Sequence, residues 1–105
     1  MSSVITATDE TFNHLVQSNN GTVLVDFWAP WCQPCLRVSP MLDALAEERA
    51  ATLTVIKVNV DEEPSLANRF GIQSIPTIVR MDHGQETRRV IGAYPKAQFL
   101  SQIGL

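Results

Sequence analysis

Trp31-Cys32-Gln33-Pro34-Cys35 holds the only two cysteines of the chain. Immediately upstream, Val23-Leu24-Val25-Asp26-Phe27-Trp28 is apolar on both faces apart from one carboxylate. That is the pattern of a central strand covered by helices on each side. Pro30 has no N–H to give to a ladder and closes the strand. Downstream, from about Pro34 to Ala50, apolar residues recur at helical spacing. Leu36, Val38, Met41, Leu42, Leu45 and Ala46 are the expected packing surface, and Pro40 should bend the helix where it removes a hydrogen bond. Both thiols therefore sit at a turn from a buried strand into a helix.

Residues three apart on a helix are neighbours. A rise of about 1.5 Å per residue at a radius of about 2.3 Å separates their Cα atoms by about 5 Å, and a disulfide accepts roughly 4.4–6.8 Å. Cys32 and Cys35 can bond and separate with little backbone movement. Cys32, at the helix N-terminus, meets unpaired N–H groups worth about half a positive charge, which favours its thiolate. Cys35 lies one turn inside and should be less exposed. This predicts Cys32 as the attacker on a substrate disulfide and Cys35 as the thiol that resolves the mixed disulfide. Pro34 suits the first turn, where a missing N–H costs nothing. The alternatives are a static disulfide or half of a zinc site. Zinc takes four ligands, and the chain offers no third cysteine and only His14 and His83.

Two charged residues fall among apolar strand positions. Alternation places Leu24, Asp26 and Trp28 on one face of the first strand, and Leu53, Val55, Lys57 and Asn59 on one face of the next. Burial of Asp26 should raise its pKa, and a nearby Lys57 should lower it. We expect Asp26 to lie beneath the cysteines and to take the proton from Cys35, through a water, as Cys35 attacks. A buried Asp–Lys pair kept for structure alone is the competing reading. Ile75-Pro76-Thr77 puts a proline at the head of a strand, and the residues alone leave its isomer open.

The remainder organises around this centre. Thr8-Asp9-Glu10 should open a first helix with Phe12, Leu15 and Val16 inward, ended by Asn19-Asn20-Gly21 in left-handed backbone. His14 reads as a solvent-edge residue of that helix. Leu53 to Val60 is a second β-branched run, and Asp61-Glu62-Glu63-Pro64 starts a short helix stopped by Gly71. Thr77–Met81 and Glu86–Ile91 flank a turn at 82–85 and read as a hairpin. Pro95 begins a last helix with Phe99, Leu100 and Ile103 inward and Tyr94 as a poor cap. The sum is one α/β domain over residues 1–105, a mixed sheet with helices on both faces.

Composition narrows the function. At 45% hydrophobic residues the chain is globular rather than disordered, and no apolar run approaches the ~20 residues of a membrane helix. The start, Met1-Ser2-Ser3-Val4-Ile5-Thr6, lacks the pattern of a signal peptide. A cytoplasmic protein is the expectation, or an organellar one after removal of a targeting segment. A net charge of −3 gives nucleic-acid binding no electrostatic support. Residues 1–63 hold nine acids and three bases, whereas residues 64–105 hold two acids and five bases. The basic final third reads as a solvated surface.

Taken together these residues resemble the thioredoxin family. Similarity runs in order through Val25-Asp26-Phe27-Trp28-Ala29, Trp31-Cys32, Pro34-Cys35, Pro40, Lys57 with Asn59-Val60-Asp61, Gly71-Ile72, Ile75-Pro76-Thr77, Gly84 and Gly92. The resemblance implies a five-stranded mixed sheet flanked by four helices. It implies a monomeric protein-disulfide reductase with no bound cofactor, whose redox group is the Cys32–Cys35 disulfide. Its partners would be disulfide-containing target proteins and a thioredoxin reductase, NADPH- or ferredoxin-linked. Cys32 matches the nucleophile, Cys35 the resolving cysteine, Asp26 the buried acid and Lys57 its neighbour. Pro76 matches a cis-proline facing the cysteines. With Trp31, Ile75 and Gly92 it matches the apolar surface where substrate chain docks, pairing beside Ile75.

Departures from the family pattern are expected to alter partner choice more than chemistry. Gln33 replaces a common glycine between the cysteines, where with Pro34 it bears on the redox potential. Ser74 replaces glycine on the docking side. Leu36-Arg37 reverses a more usual basic-then-apolar order, and Arg80 occupies an apolar strand position, where it should share a face with Arg89. Two other functions stay open: an oxidase or isomerase with shifted redox poise, and a non-catalytic subunit docking through the same surface.

Overall fold

The computed structural model describes residues 4–105. The reading of Met1, Ser2 and Ser3 as lacking a signal peptide's basic end lies outside them. In chain order the elements are β1 Val4–Thr6, α1 Phe12–Gln17, β2 Thr22–Trp28, α2 Gln33–Glu48, β3 Leu53–Asn59, α3 Pro64–Arg69, β4 Thr77–Asp82, β5 Gln85–Ile91 and α4 Lys96–Ile103. The strands form one five-stranded sheet in the order β1-β3-β2-β4-β5. β1 and β2 run parallel to β3, whereas β4 is antiparallel to both β2 and β5. This is the mixed α/β sheet expected, with β2 at its centre. β1 has only three residues, too short for any alternation to announce it.

Alternate residues of β2 enter two cores. Val23, Val25 and Phe27 pack with Phe12 and Val16 of α1 and Leu66 of α3. Leu24 packs with Leu42 and Leu45 of α2 and with Phe99 and Ile103 of α4. Burying a Leu, Ile or Phe side chain contributes about 1.5–3 kcal/mol, so these two layers hold the sheet between the helix pairs. Asp26 belongs to the second face, under α2.

Several boundaries differ from expectation for local reasons. Thr8 and Thr11 exchange hydrogen bonds, Thr8 N–H to Thr11 Oγ1 at 2.9 Å and Thr11 N–H to Thr8 Oγ1 at 3.3 Å. Asp9 and Glu10 are thereby held in a turn, and α1 starts only at Phe12. α1 ends in right-handed backbone at Ser18, and Gly21 is not left-handed. Its requirement is clearance, since a Cβ there would lie 2.5 Å from the Thr52 carbonyl oxygen. In α2 the buried stripe is Cys35, Val38, Leu42, Leu45 and Ala46. Leu36 is 42% exposed because it stands one residue, about 100° of helix, beyond Cys35. Met41 and Leu100 pack at the margins of the core, and Pro95, not Tyr94, caps α4.

The hairpin is tighter than four residues. Asp82 pairs with Gln85, leaving His83 and Gly84 at φ 54° and 78°, the positive values that a two-residue turn between twisted strands demands. A bulge beside Arg80 and Met81 then shifts the register, so Arg80 faces Arg88 while Arg89 faces Val79. The expected pairing of Arg80 with Arg89 on one face is therefore wrong: the extra residue on β5 moves Arg89 to the other face. Arg80 donates to the Ile103 and Gly104 carbonyls at 3.0 and 2.8 Å, and Arg88 to that of Gln102. Arg89 instead holds Glu86 and the Phe70 carbonyl. The five bases of the final third stay at the surface, three of them exposed, as expected, although Arg80, Arg88 and Arg89 also bond backbone carbonyls.

Candidate active site

Strand β2 delivers the chain through Ala29, Pro30 and Trp31 to Cys32, which caps α2 in extended backbone (φ −90°, ψ 104°). Its Sγ accepts a hydrogen bond from the Cys35 N–H at 3.2 Å. A helix-terminal donor aimed at a sulfur favours its thiolate. Cys32 and Cys35 form a disulfide with Cα atoms 5.3 Å apart, within the spacing expected. They are 5% and 2% exposed, in the predicted order although both are buried, and pack with Ala29, Trp28, Val60 and Ile75.

Ile75 packs on this pair, and Pro76 and Gly92 are joined to it through the chain and one hydrogen bond. The Ile75–Pro76 peptide is cis, and the Ile75 carbonyl oxygen lies 3.8 Å from Cys32 Sγ. Gly92 donates its N–H to the Pro76 carbonyl at 2.9 Å and holds φ at 105°, a conformation that side chains rarely tolerate. Thr77 Oγ1 donates to the Ser74 carbonyl at 2.6 Å, which fixes the loop ahead of the proline. Trp31 is 66% exposed, yet its Nε1 donates to Asp61 Oδ2 at 2.8 Å. With Val60, Ile72, Ser74 and Ile75 it lines a shallow groove of about 160 Å³. Gln33 is exposed and Pro34 half-buried in the first turn.

Asp26 is 1% exposed, and its Oδ1 has no hydrogen-bond partner. Burial pushes its pKa up to about 7, against the lowering effect of Lys57 and with a smaller raising effect from Asp43. Asp26 and Lys57 are direct neighbours in the β2–β3 ladder, so the expected juxtaposition is present. The ammonium turns elsewhere, however. It donates to Ser39 Oγ, lies 4.0 Å from Asp43 and sits 5.7 Å from the Trp28 ring centre. No ion pair between Asp26 and Lys57 forms among the described residues.

Ser39, Asp43 and Asp61 touch this site although the sequence assigned none of them a role in it. For the first two a signal existed: Cys35, Ser39 and Asp43 recur every four positions, one stripe of α2. Asp61 carried no local signal, because its bond to Trp31 joins groups thirty positions apart.

The family model described as Thioredoxin matches residues 3–104. A thioredoxin of Pyropia yezoensis is 46% identical over 101 residues, 96% of this chain and 94% of its own. Thioredoxin 1 of Synechococcus elongatus is 47% identical over 103 residues, 98% of this chain and 96% of its own. The chloroplastic M-type thioredoxin of Chlamydomonas reinhardtii is 43% identical over 95 residues, 90% of this chain and 68% of its own. Agreement at that level along almost the whole chain, with a disulfide at the helix N-terminus, makes this a thiol–disulfide oxidoreductase belonging to the thioredoxin family.

Proposed function

We propose that the protein reduces disulfides in other proteins and is itself reduced again by a dedicated reductase. The observation that carries this reading is the Cys35 N–H bonded to Cys32 Sγ at the cap of α2; a buried carboxylate on β2, Asp26, whose Oδ1 has no hydrogen-bond partner, supports it. In the reduced protein the Cys32 thiolate attacks one sulfur of a target disulfide. The target's other sulfur leaves as thiolate and takes a proton from water, and a mixed disulfide joins Cys32 to the target. Cys35 then gives its proton, through a water, to the Asp26 carboxylate and attacks Cys32 Sγ. The target's second sulfur leaves as thiolate and takes a proton from water, two electrons have passed to the target, and the Cys32–Cys35 disulfide remains.

A carboxyl with a pKa near 7 is suited to this relay, because it takes and returns a proton at neutral pH. Lys57 tunes that value. Gln33 and Pro34, between the sulfurs, bear on the thiol–disulfide balance. The target chain docks over Trp31, Ser74, Ile75, Pro76 and Gly92, its backbone pairing beside Ile75. A reducing compartment, cytoplasmic or organellar, fits this chemistry.

Insulin reduction tests the reading, with NADPH and a flavin reductase, a ferredoxin-linked reductase or dithiothreitol as donor. Turnover with at least one enzymatic donor is expected. Cys35→Ser should accumulate mixed disulfides with targets, and Cys32→Ser should abolish both turnover and trapping. No reduction with any donor, dithiothreitol included, would overturn the proposal.

A further inference from the structure

Arg37 follows Cys35 by two positions and turns away from the thiols into a second groove, of about 450 Å³, between α2 and the β5–α4 connection. Its floor is apolar, with Val38, Met41 and Tyr94, and Lys96 stands at its edge. Gly92, whose N–H is bonded to the Pro76 carbonyl, leads directly into Ala93, which also lines this groove. The Trp31 groove and the Arg37 groove share no residue; the first is lined by Trp31 and Ile75, the second by Arg37 and Ala93.

Their charges differ in sign. Beside the Trp31 groove, Asp61 and Glu62 are exposed, and Asp61 is bonded to Trp31 itself. Beside the Arg37 groove, Lys96 is neutralised by Glu48 at 2.7 Å, which leaves the Arg37 guanidinium as the uncompensated charge. Among the described lysines and arginines, only Arg37 and Arg49 have side chains that make no hydrogen bond or ion pair, and Arg49 lies at the far end of α2. An exposed cation above an apolar floor is a site for an acidic side chain flanked by apolar ones. The exposed Asp61 and Glu62 beside the Trp31 groove would disfavour the same segment there.

Resting on the disulfide-reductase reading, we infer that Arg37 is a specificity-determining residue, selecting targets whose chain bears a Glu or Asp close to the reacting cysteine and lays it in the groove beside Ala93 and Tyr94. A guanidinium–carboxylate pair is directional and charge-assisted. In this partly solvated position it is worth up to about 1 kcal/mol, a two- to fivefold preference. It also accelerates encounter at low salt.

Peptides carrying one cysteine as a mixed disulfide with thionitrobenzoate provide the test. Attack of the Cys32 thiolate on the peptide sulfur releases the coloured thionitrobenzoate anion and leaves the peptide on Cys32. Each peptide carries Glu, Gln or Lys two residues before or two residues after the cysteine. The leaving group is common to all, so a change in thiol acidity or redox potential cancels in the ratio of rates. At one of the two positions we expect Glu over Gln over Lys, with about two- to fivefold per step. Raising ionic strength to about 0.5 M should flatten that ranking, and Arg37→Glu should invert it. A ranking that is flat, or unchanged in Arg37→Glu at both positions, overturns the inference while peptide consumption leaves the reductase reading standing. No release from any peptide, joined to failure with insulin, removes both.

Discussion

Lys57 donates its hydrogen bond to Ser39 Oγ and not to Asp26, its direct neighbour in the β2–β3 ladder. The carboxylate consequently keeps a lowering influence from the ammonium without a partner that would hold it ionised. Burial sets its proton affinity first, against Lys57 on β3 and with Asp43 on α2. Asp26 is left with a pKa close to the pH at which a thiol must be deprotonated.

Changing those neighbours should move the value in known directions. Lys57→Met removes the lowering influence and should carry Asp26 above about 7, whereas Asp43→Asn removes a raising one and should bring it down. Ser39→Ala frees the ammonium to approach Asp26 and should also bring it down. Carbon-13 titration of the Asp26 carboxyl in the reduced and oxidised proteins reads all three. The pH profile of exchange should shift with them, and Ser39→Ala without a downward shift would show that Ser39 does not position Lys57.

The same carboxyl makes stability depend on pH. Its folded pKa of about 7 exceeds the ordinary 3.8, so the folded state holds the extra proton between those values. That contribution is complete below about 3.8, is lost progressively as pH rises, and is gone above about 7. Asp26→Asn should therefore gain stability over the parent as pH rises through this window, by up to about 4 kcal/mol, and no further beyond it. Urea midpoints at intervals from pH 4 to 9 measure the difference. A constant offset would contradict the assignment.

Arg80 should matter to the fold. Its guanidinium holds the last carbonyls of α4 and the Asp82 carboxylate, and Arg80→Leu should cost about 1–3 kcal/mol for the acceptors it abandons. Burial raises the Asp82 pKa, but bonds from Thr87, Thr22 and Arg80 and the Arg80 charge outweigh it and leave the value low. Such a group stabilises above its ordinary range and loses that contribution as pH falls through the folded value. The variant should accordingly show a weaker loss of stability in acid. Hydrogen exchange at α4, compared with the parent, localises the effect.

Two glycines should fail for different reasons. Gly21→Ala drives a Cβ to 2.5 Å from the Thr52 carbonyl oxygen, and the backbone must move at about 1–3 kcal/mol. Gly84→Ala meets open space but keeps φ at 78°, a strain of about 1–2 kcal/mol. Urea denaturation should rank Gly21→Ala as at least as costly, and a neutral Gly21→Ala would refute the clearance argument.

The departures from reading are local and have causes. Thr8 was legible as a helix start, yet its exchange of hydrogen bonds with Thr11 delayed the helix to Phe12. Gly21 looked like a left-handed terminus, but its need came from Thr52, thirty-one positions away. Simple alternation puts Arg80 and Arg89 on one face, and a single bulged residue separates them.

By itself the sequence determined the strand-to-helix junction, the two sulfurs one turn apart, and a carboxylate and a lysine on matching strand faces. These follow from the 3.6-residue and 2-residue periods of the backbone, which act over neighbouring positions. Tertiary structure decided which group the Lys57 ammonium bonds, what steadies Trp31, and which arginines were left unpaired. A long flexible side chain can reach several partners, and only packing fixes which of them comes within bonding distance.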